Sequence, residues 1–316
     1  MSTTTSSSPK IVAVVGATGN QGGSVVKSLY QTGKYKIRAL TRSAQSDAAI
    51  ALKAKYSEIE LVEVTSDHVD SLRKAFKGAD IVFGVTRNYH DYDSASATND
   101  TNGEIEHGKA IVDAAIAENV RTLVYSGIDS IKQLSNGKYT GALNCENKYE
   151  ISQYLVSKSD QIQGLLVYCG YYMENYVHMS RLSPEDNNTV EFISPFDPTE
   201  LVPLVDTTND MGAVVAHILE TPEKYQGKPV EVSSGFYEIQ EMVKAFTQVT
   251  GKPARYVKVP FDFTGVDYLT QMFKGFSEFG YFSERTEFVE HHRKAGIKFT
   301  TPVEFWKARN WNGPTQ

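Results

Sequence analysis

The sequence predicts an α/β fold with a doubly wound parallel sheet and a smaller α+β lobe towards the C-terminus. Three observations lead to this prediction. Short apolar runs alternate with amphipathic segments, the first apolar run enters a glycine-rich turn, and aromatic residues, prolines and short elements replace the alternation after residue 168. Alternating strands and helices are typical of parallel sheets that carry helices on both faces.

Six apolar runs are predicted strands, and the segments between them are predicted helices. The strands are residues 11–15, 36–41, 59–64, 81–85, 122–126 and 164–168. The helices are residues 22–30, 46–56, 67–76, 103–118 and 145–157. In the fourth helix, apolar residues from Ile105 to Ile116 form one stripe, and we expect Glu104 to lie outside it. We interpret this stripe as core.

The turn after the first strand has the spacing Gly-x-x-Gly-x-x-Gly. It consists of Gly16, Ala17, Thr18, Gly19, Asn20, Gln21 and Gly22. Gly16 permits a tight turn, Gly19 lets the backbone approach phosphate oxygens, and Gly22 lets the next helix pack closely on the sheet. Such a turn delivers a pyrophosphate to a helix N-terminus. Flexible loops also collect glycines, but the flanking strand, helix and second strand favour a Rossmann-type dinucleotide site.

Arg42 follows the second predicted strand, about twenty residues beyond the glycine turn. Folds that prefer NAD place Asp or Glu at this point to bind the ribose 2′-hydroxyl. A guanidinium flanked by the hydroxyls of Thr41 and Ser43 suits a 2′-phosphate instead. The sequence therefore predicts NADP(H) as the cofactor; the alternative is an arginine that is merely solvated on the surface.

Charge and targeting signals exclude several classes of partner. The 316 residues carry a net charge of −6 without a cluster of Lys and Arg, so we expect no direct contact with nucleic acid. Residues 1–9 are expected to be a disordered Ser/Thr-rich tail rather than a signal peptide, and no apolar stretch reaches the ~20 residues of a membrane span. Cys145 and Cys169 form neither a CxxC motif nor a disulfide framework. These observations favour the cytoplasm, with the nucleus also open.

The change of pattern after residue 168 predicts a second lobe. We expect residues 10–168, rejoined by about residues 204–235, to form the dinucleotide domain. Residues 169–203 and 236–316 would form a smaller lobe for a substrate or a partner. In the returning segment, a helix at residues 211–219 with Asp210 as its N-cap precedes a strand at residues 229–233.

The candidate catalytic residues do not form the usual reductase set. Short-chain reductases of this architecture carry a Tyr four residues before a Lys on a helix, and the Lys lowers the pKa of the phenol. Here Asn144 stands four residues before Lys148, and an amide cannot serve as that acid. Ser126 keeps the place of the hydroxyl that binds a substrate carbonyl. Tyr139 could be a displaced proton donor, and Lys148 could bind the nicotinamide ribose or be a solvated lysine.

Other enzyme classes lack their motifs. His291 and His292 are adjacent, so their side chains diverge on a helix, and no HExxH or spaced Cys/His cluster supports a metal site. The chain has neither a GxSxG elbow nor a Walker loop. Metal-dependent, hydrolase and kinase functions are therefore not expected.

Several segments together resemble the NmrA-like family, an atypical branch of the short-chain dehydrogenase/reductases. They are residues 14–25 (VVGATGNQGGSV), 40–42 (LTR), 124–127 (VYSG), 172–175 (YMEN), 210–212 (DMG) and 222–227 (PEKYQG). Gln21 after the second glycine and the pair Glu174 and Asn175 are more specific than the glycines alone. The resemblance runs over most of the chain.

The resemblance implies a Rossmann domain that binds NADP(H) and a regulatory role. In that role the redox state of the cofactor alters conformation and association with a regulatory protein partner. Carried over from the family, the cofactor contacts are the glycine turn with Arg42, Thr86, Arg87, Lys148, Gly170, Tyr171, Tyr172 and Met173. Thr65 and Ser66 stand where relatives often have an acidic residue near the adenine, and Glu106 where some have a basic one.

Two functions stay open at this point. The first is an NADP(H)-binding redox sensor with little or no turnover, since members of the family often lack the reductase tyrosine. The second is an NADPH-dependent reductase similar to isoflavone-reductase-like proteins, which use a Lys in place of the Tyr chemistry, so that Lys148 would be the key residue. The partner, the substrate and the oligomeric state, a homodimer included, also stay open.

Overall fold

The computed structural model describes residues 8–64, 69–87, 103–282 and 285–315. Most of the predicted N-terminal tail and the predicted cofactor contacts Thr65 and Ser66 lie outside these described residues.

Strands and helices alternate through the first part of the chain. In order they are β1 (Lys10–Val14), α1 (Asn20–Thr32), β2 (Tyr35–Thr41), α2 (Asp47–Lys55), β3 (Glu60–Glu63), α3 (Val69–Phe76), β4 (Ile81–Gly84), α4 (Gly103–Ala117), β5 (Thr122–Gly127), α5 (Ile131–Leu134), α6 (Leu143–Ser157) and β6 (Gln163–Cys169). Each of the predicted strands and helices of this part is present, with ends that differ by two residues or fewer.

Shorter elements follow. They are β7 (Tyr171–Tyr172), α7 (Asn175–His178), β8 (Ser180–Leu182), β9 (Val190–Ser194), β10 (Leu201–Val205), α8 (Asp210–Ile218), a 3₁₀ turn (Pro222–Lys224), β11 (Pro229–Val232), β12 (Gly235–Glu238), α9 (Glu241–Thr250), β13 (Ala254–Lys258), α10 (Asp267–Phe279), α11 (Phe288–Lys294) and α12 (Pro302–Arg309). Asp210, predicted as the N-cap of α8, is instead its first residue.

Seven strands form one sheet in the order β11-β6-β5-β4-β1-β2-β3. The pairs from β3 to β5 are parallel, and Val12 of β1 lies between Ile37 of β2 and Ile81 of β4. The strand order therefore reverses between β1 and β4. In open α/β sheets the ligand crevice lies beyond the carboxyl ends of the strands at such a point. The predicted doubly wound Rossmann-type fold is confirmed.

Two compact units divide the described chain. The first comprises Met1–Ser126, Ile151–Leu166 and Val215–Lys228, and the second comprises Gly127–Glu150, Val167–Val214 and Pro229–Gln316. Two three-stranded sheets, β12-β10-β7 and β13-β9-β8, lie in the second unit, which is consistent with an α+β lobe. The predicted domain limits stay a prediction.

Apolar side chains fix the central strands and α1 of the first unit. Val12 and Val14 of β1 and Phe83 of β4 are fully buried, because a parallel sheet is covered on both faces. Val26 and Leu29 bury the core-facing side of α1. Burial of each such side chain contributes about 1.5–3 kcal/mol, so the strand end that carries the glycine turn is held firmly.

The buried face of α4 differs from the predicted stripe. Glu104, expected outside the stripe, is 1 % exposed, and His107 and Ala114 are also buried. The Thr86 hydroxyl donates a hydrogen bond of 2.8 Å to the Glu104 carboxylate. A buried carboxylate is tolerated when such donors satisfy it, so the first turn of α4 packs inward through a polar contact.

Trp306 and Trp311 belong to an aromatic cluster in the second unit. Their rings stack at 5.4 Å between centroids, and the Trp306 indole N–H donates to the backbone oxygen of Met242 at 2.8 Å. Phe192 and Phe246 contact both indoles. Trp306, Phe192 and Phe246 are buried, so this cluster forms part of the core of the second unit.

No helix among the described residues is both long enough and apolar enough to cross a membrane.

The glycine turn depends on the close approach of α1 to the end of β1. Gly16 has a φ of 66°, a conformation that favours glycine. A Cβ built on Gly22 would overlap the carbonyl group of Gly16. The close contact that requires Gly22 is therefore with the turn itself. A Cβ on Gly23 would lie 3.4 Å from the oxygen of Ala17, which is ordinary contact.

We expect Gly22→Ala to lower the free energy of unfolding by about 1–3 kcal/mol, because the new methyl group must displace the turn. Gly23→Ala is the matched control: it adds the same methyl group to the same helix and should be neutral or stabilising by up to about 1 kcal/mol. Urea denaturation of both variants measures the difference. Equal stability of the two variants would contradict the proposed overlap.

Asp210 is a buried carboxyl group at the start of α8. The Asp206 N–H donates to its Oδ2 at 2.9 Å, and the backbone N–H and the hydroxyl of Thr300 donate to its Oδ1 at 2.9 and 3.0 Å. Burial raises the pKa of Asp210 to about 7, against the opposing effect of these donors. The folded protein therefore holds a proton here that the unfolded chain releases near pH 4.

Because the pKa of Asp210 differs between the folded and unfolded states, this group makes the free energy of unfolding depend on pH. Between about pH 4 and 7 the folded state binds more protons at Asp210 than the unfolded state, so Asp210 contributes a fall in the free energy of unfolding as pH rises, of at most about 1.4 kcal/mol per pH unit. Asp210→Asn should flatten this slope in denaturation measured across the window. Asp186→Asn is the control, because the pKa of the exposed Asp186 is lowered to about 2 and lies outside the window. An unchanged slope in Asp210→Asn would refute the assignment.

Candidate dinucleotide-binding site

The glycine turn presents backbone rather than side chains at the carboxyl end of β1. Thr18, Gly19 and Asn20 are exposed, whereas Ala17 is buried and anchors the turn. Gly19 is the N-cap of α1 and brings no capping side chain, and no acidic residue lies in the first turn of the helix. A helix N-terminus of this kind has a positive dipole end and N–H donors directed outward, which favours an anionic group.

Arg42 lies at the same edge of the sheet. It follows β2 directly, and the Ala17 N–H donates to the oxygen of Leu40 in β2 at 3.2 Å, which ties the turn to this strand. The Arg42 side chain is exposed, and no described residue forms an ion pair or hydrogen bond with its guanidinium. The carboxylate of Glu63 instead accepts the backbone N–H of Ala44 at 3.1 Å. Within the described part of the chain, Arg42 is therefore an exposed guanidinium without a compensating anion at the edge of the sheet that carries the turn, and a guanidinium binds phosphate in bidentate fashion.

Ser126 at the end of β5 makes a long-range contact with the turn. It is 3 % exposed, and its hydroxyl donates to Oε1 of Gln21 at 2.6 Å. In the sheet, β4 lies between β1 and β5, so this bond joins α1 to a strand that is not adjacent to β1. The hydroxyl predicted to bind a substrate carbonyl thus already has an acceptor within the protein.

Thr86 and Arg87, the predicted contacts after β4, differ in solvent exposure. Thr86 is buried; its hydroxyl donates to Glu104 and lies 2.9 Å from the hydroxyl of Tyr125. Because Thr86 has one hydroxyl proton, Tyr125 is the donor in the second bond. The Thr86 hydroxyl is thus engaged within the protein, whereas the side chain of Arg87 is exposed. Sequence reasoning missed Glu104 and Tyr125 as partners of Thr86, because no local signal marks them.

The other candidates for chemistry lie in the second unit. Asn144 and Lys148 are one turn apart on α6, and the Asn144 amide donates to the sulfur of Met272 at 2.9 Å. The Tyr139 hydroxyl donates to the Glu278 carboxylate at 2.9 Å, and desolvation together with this carboxylate raises the pKa of Tyr139. A raised pKa makes Tyr139 a weaker proton donor at neutral pH.

The segment from Gly170 to Met173 is a tightly packed strand edge. Tyr171 and Tyr172 pair with β10, and the Met173 N–H donates to the oxygen of Val205 at 2.9 Å. The side chains of Tyr171 and Met173 are buried, and burial raises the pKa of Tyr171 to about 12. A Cβ on Gly170 would overlap the carbonyl oxygen of Pro203. Of these four predicted contacts, Tyr172 has the more accessible side chain.

The structure thus gathers part of the predicted site at one edge of the first unit. These residues lie at or just beyond the carboxyl ends of β1, β2, β4 and β5: the glycine turn, Arg42, Thr86, Arg87 and Ser126. Tyr139, Lys148 and the segment from Gly170 to Met173 belong to the second unit. Within the described ranges, no group of three or more His, Cys, Asp or Glu side chains is arranged to hold a metal ion. The assignment of each residue to cofactor binding stays a prediction.

Known proteins resemble this chain in sequence and in fold. The sequence model of the NmrA-like family matches residues 8–307. The NmrA-like family domain-containing oxidoreductase cpsB of Aspergillus campestris is 32% identical over 265 residues, which cover 80% of this chain and 76% of the relative.

Among solved structures, NmrA, a negative transcriptional regulator crystallised in complex with NADP, matches with a TM-score of 0.74 at 22% identity, covering 95% of this chain and 94% of that one. The NADPH-dependent quinone oxidoreductase QOR2 of Escherichia coli, crystallised with NADPH, matches with a TM-score of 0.67 at 19% identity, covering 95% and 100%. These two matches show that the chain shares its fold with both proteins. Because the family match spans nearly the whole sequence and includes the turn, Arg42 and the Glu174–Asn175 pair, the chain belongs to the NmrA-like family.

Proposed function

We propose that this protein is an NADP(H)-binding redox sensor or regulatory protein with little or no catalytic turnover. The proposal is carried by three features together: an exposed glycine turn, an Arg42 guanidinium that no described residue binds, and an amide instead of a phenol at position 144. The first two features suit tight binding of a dinucleotide phosphate. The third removes the usual proton donor of short-chain reductases.

The residues of the first unit fit NADP(H) in particular. Gly16, with its positive φ, and Gly22, whose Cβ would overlap the Gly16 carbonyl, set the shape of the turn, and the exposed N-cap Gly19 leaves the helix N-terminus without a covering side chain. Arg42 supplies a cation for the adenosine 2′-phosphate. Support also comes from the similar fold of NmrA, which was crystallised with NADP.

The hydroxyl groups argue against efficient turnover. Ser126 donates to Gln21, and Tyr139 donates to a carboxylate that raises its pKa. Asn144 is an amide, which is too weak an acid to donate a proton to a substrate oxygen at neutral pH. When bound, NADP(H) supplies hydride chemistry, but these side chains do not offer the acid that a carbonyl reduction needs.

A sensor requires two conformations with different affinities for the oxidised and reduced cofactor. A regulatory protein partner would then bind one of the two conformations preferentially. By linkage, the factor by which the cofactor changes the affinity for the partner equals the factor by which the partner changes the affinity for the cofactor. NmrA, which shares the fold, is a negative transcriptional regulator, and this supports a regulatory role for the present chain. A location in the cytoplasm, or also in the nucleus, is part of the same proposal.

The second candidate is an NADPH-dependent reductase. It is favoured by the names of relatives such as cpsB, which are called oxidoreductases. Lys148 on α6 would then be the central residue, since its ammonium could bind the nicotinamide ribose or polarise a substrate.

We expect Arg42→Ala to weaken NADP(H) binding by about ten- to a hundredfold, because it removes a charged hydrogen bond to the 2′-phosphate, and to leave NAD binding nearly unchanged. Lys36→Ala is the control: it removes an exposed cation from the same strand, nearer its amino end. Titration calorimetry with both cofactors measures the effect. Equal affinity of the wild type for NADP and NAD would reject the assignment of Arg42.

We expect NADP⁺, NADPH and the absence of cofactor to give three distinguishable patterns in limited proteolysis, with different affinities of the two cofactors in calorimetry. Arg42→Ala at the same cofactor concentration is the control, since its pattern should resemble that without cofactor. Identical patterns and affinities would reject a sensor. Consumption of NADPH with small carbonyl or enone substrates, lost in Lys148→Ala, would support the reductase instead.

A further inference from the structure

We propose that Ser126 is a positioning residue for NADP(H) binding that acts through Gln21. The inference rests on the proposed binding of NADP(H) and adds to it a residue that holds the glycine turn in its binding geometry. The observation behind it is the 2.6 Å hydrogen bond from the buried Ser126 hydroxyl to Oε1 of Gln21, across 105 residues of sequence.

Apart from the bond from the Ala17 N–H to Leu40 and the packing of Gly22 on Gly16, few side chains restrain the turn. Four glycines lie between positions 16 and 23, and each has more conformational freedom than any other residue type. The N-cap Gly19 provides no side chain to hold the first turn of α1. Gln21 is the second residue of this helix, so a bond to its side chain restrains the part of the backbone that would face the phosphates.

The other end of the bond is rigid. Ser126 follows Val124 and Tyr125, which are fully buried in β5, and β5 pairs with β4 in parallel. Because β4 separates β5 from β1, the bond spans the point where the strand order reverses. The hydrogen bond thus connects a residue of the packed central sheet, Ser126, to the glycine-rich turn and the first turn of α1. Preorganisation of this kind strengthens binding by reducing the ordering that the ligand would otherwise have to impose.

The alternative role, a hydroxyl that binds a substrate carbonyl or the nicotinamide, makes a different demand on the same atom. Ser126 has one hydroxyl proton, and the geometry directs it to Gln21. Two ligands separate the roles. NADPH contains the nicotinamide ring, whereas 2′-phospho-ADP-ribose retains the pyrophosphate and the 2′-phosphate without the ring.

The test is a double-mutant cycle in binding, with Ser126→Ala, Gln21→Met and the double variant. Loss of one neutral hydrogen bond should raise the dissociation constants of both ligands by about two- to tenfold. The double variant should bind no more weakly than the weaker single variant. Gln21→Met removes the same hydrogen bond by changing its half-exposed partner instead of the buried serine. The test therefore does not depend on whether Ser126→Ala folds.

Thr122→Val is the matched control. The buried Thr122 hydroxyl also lies on β5 and donates to a glutamine oxygen, Oε1 of Gln163, at 2.9 Å, but at the amino end of the strand. This variant should lose stability without losing affinity. Unchanged or tighter binding by Ser126→Ala, additive losses, or a loss confined to NADPH would each overturn the role of Ser126. Failure of the wild type to bind either ligand would reject NADP(H) binding itself.

Discussion

The first helix can begin directly beyond β1 only because Gly22 has no side chain. The carbonyl group of Gly16 fills the space that a Cβ would need, and this contact fixes where the helix N-terminus lies. The bond from Ala17 to Leu40 then places the end of β2, and with it Arg42, at the same edge. The electrostatics of the candidate site thus depend on a contact between two backbone segments. The backbone contact between Gly16 and Gly22 shapes the site, and the Arg42 side chain would add selectivity for a particular ligand.

The elements around the turn could be predicted because their signals are local. Apolar runs, glycine spacing and helical periodicity define β1, α1 and β2 within a few residues. The pairing of polar groups could not be predicted in the same way. Glu104 has the sequence setting of an exposed glutamate in a first helical turn, and its burial depends on a hydroxyl eighteen residues earlier. Asp210 has the setting of an N-cap, yet its partner Thr300 lies ninety residues away.

The hydroxyl groups near the predicted chemistry illustrate the same limit. Ser126, Thr86 and Tyr139 are residue types that can donate a proton or bind a carbonyl, and the sequence alone presents each as available. Each hydroxyl instead donates to a side chain of the protein. Among the described residues, the groups exposed at this edge of the first unit include the backbone of the glycine turn and the guanidinium group of Arg42. These groups bind phosphate well and do not transfer protons at neutral pH.

The stacked indoles of Trp306 and Trp311 have a consequence for spectroscopy. They are the two tryptophans of the chain, and both lie in the aromatic cluster of the second unit. Intrinsic tryptophan emission therefore originates from one location. Tryptophan emission therefore does not report directly on melting that is confined to the first unit. Fluorescence and far-ultraviolet circular dichroism can then follow different transitions. A coincident midpoint in both signals would mean that the two units melt cooperatively.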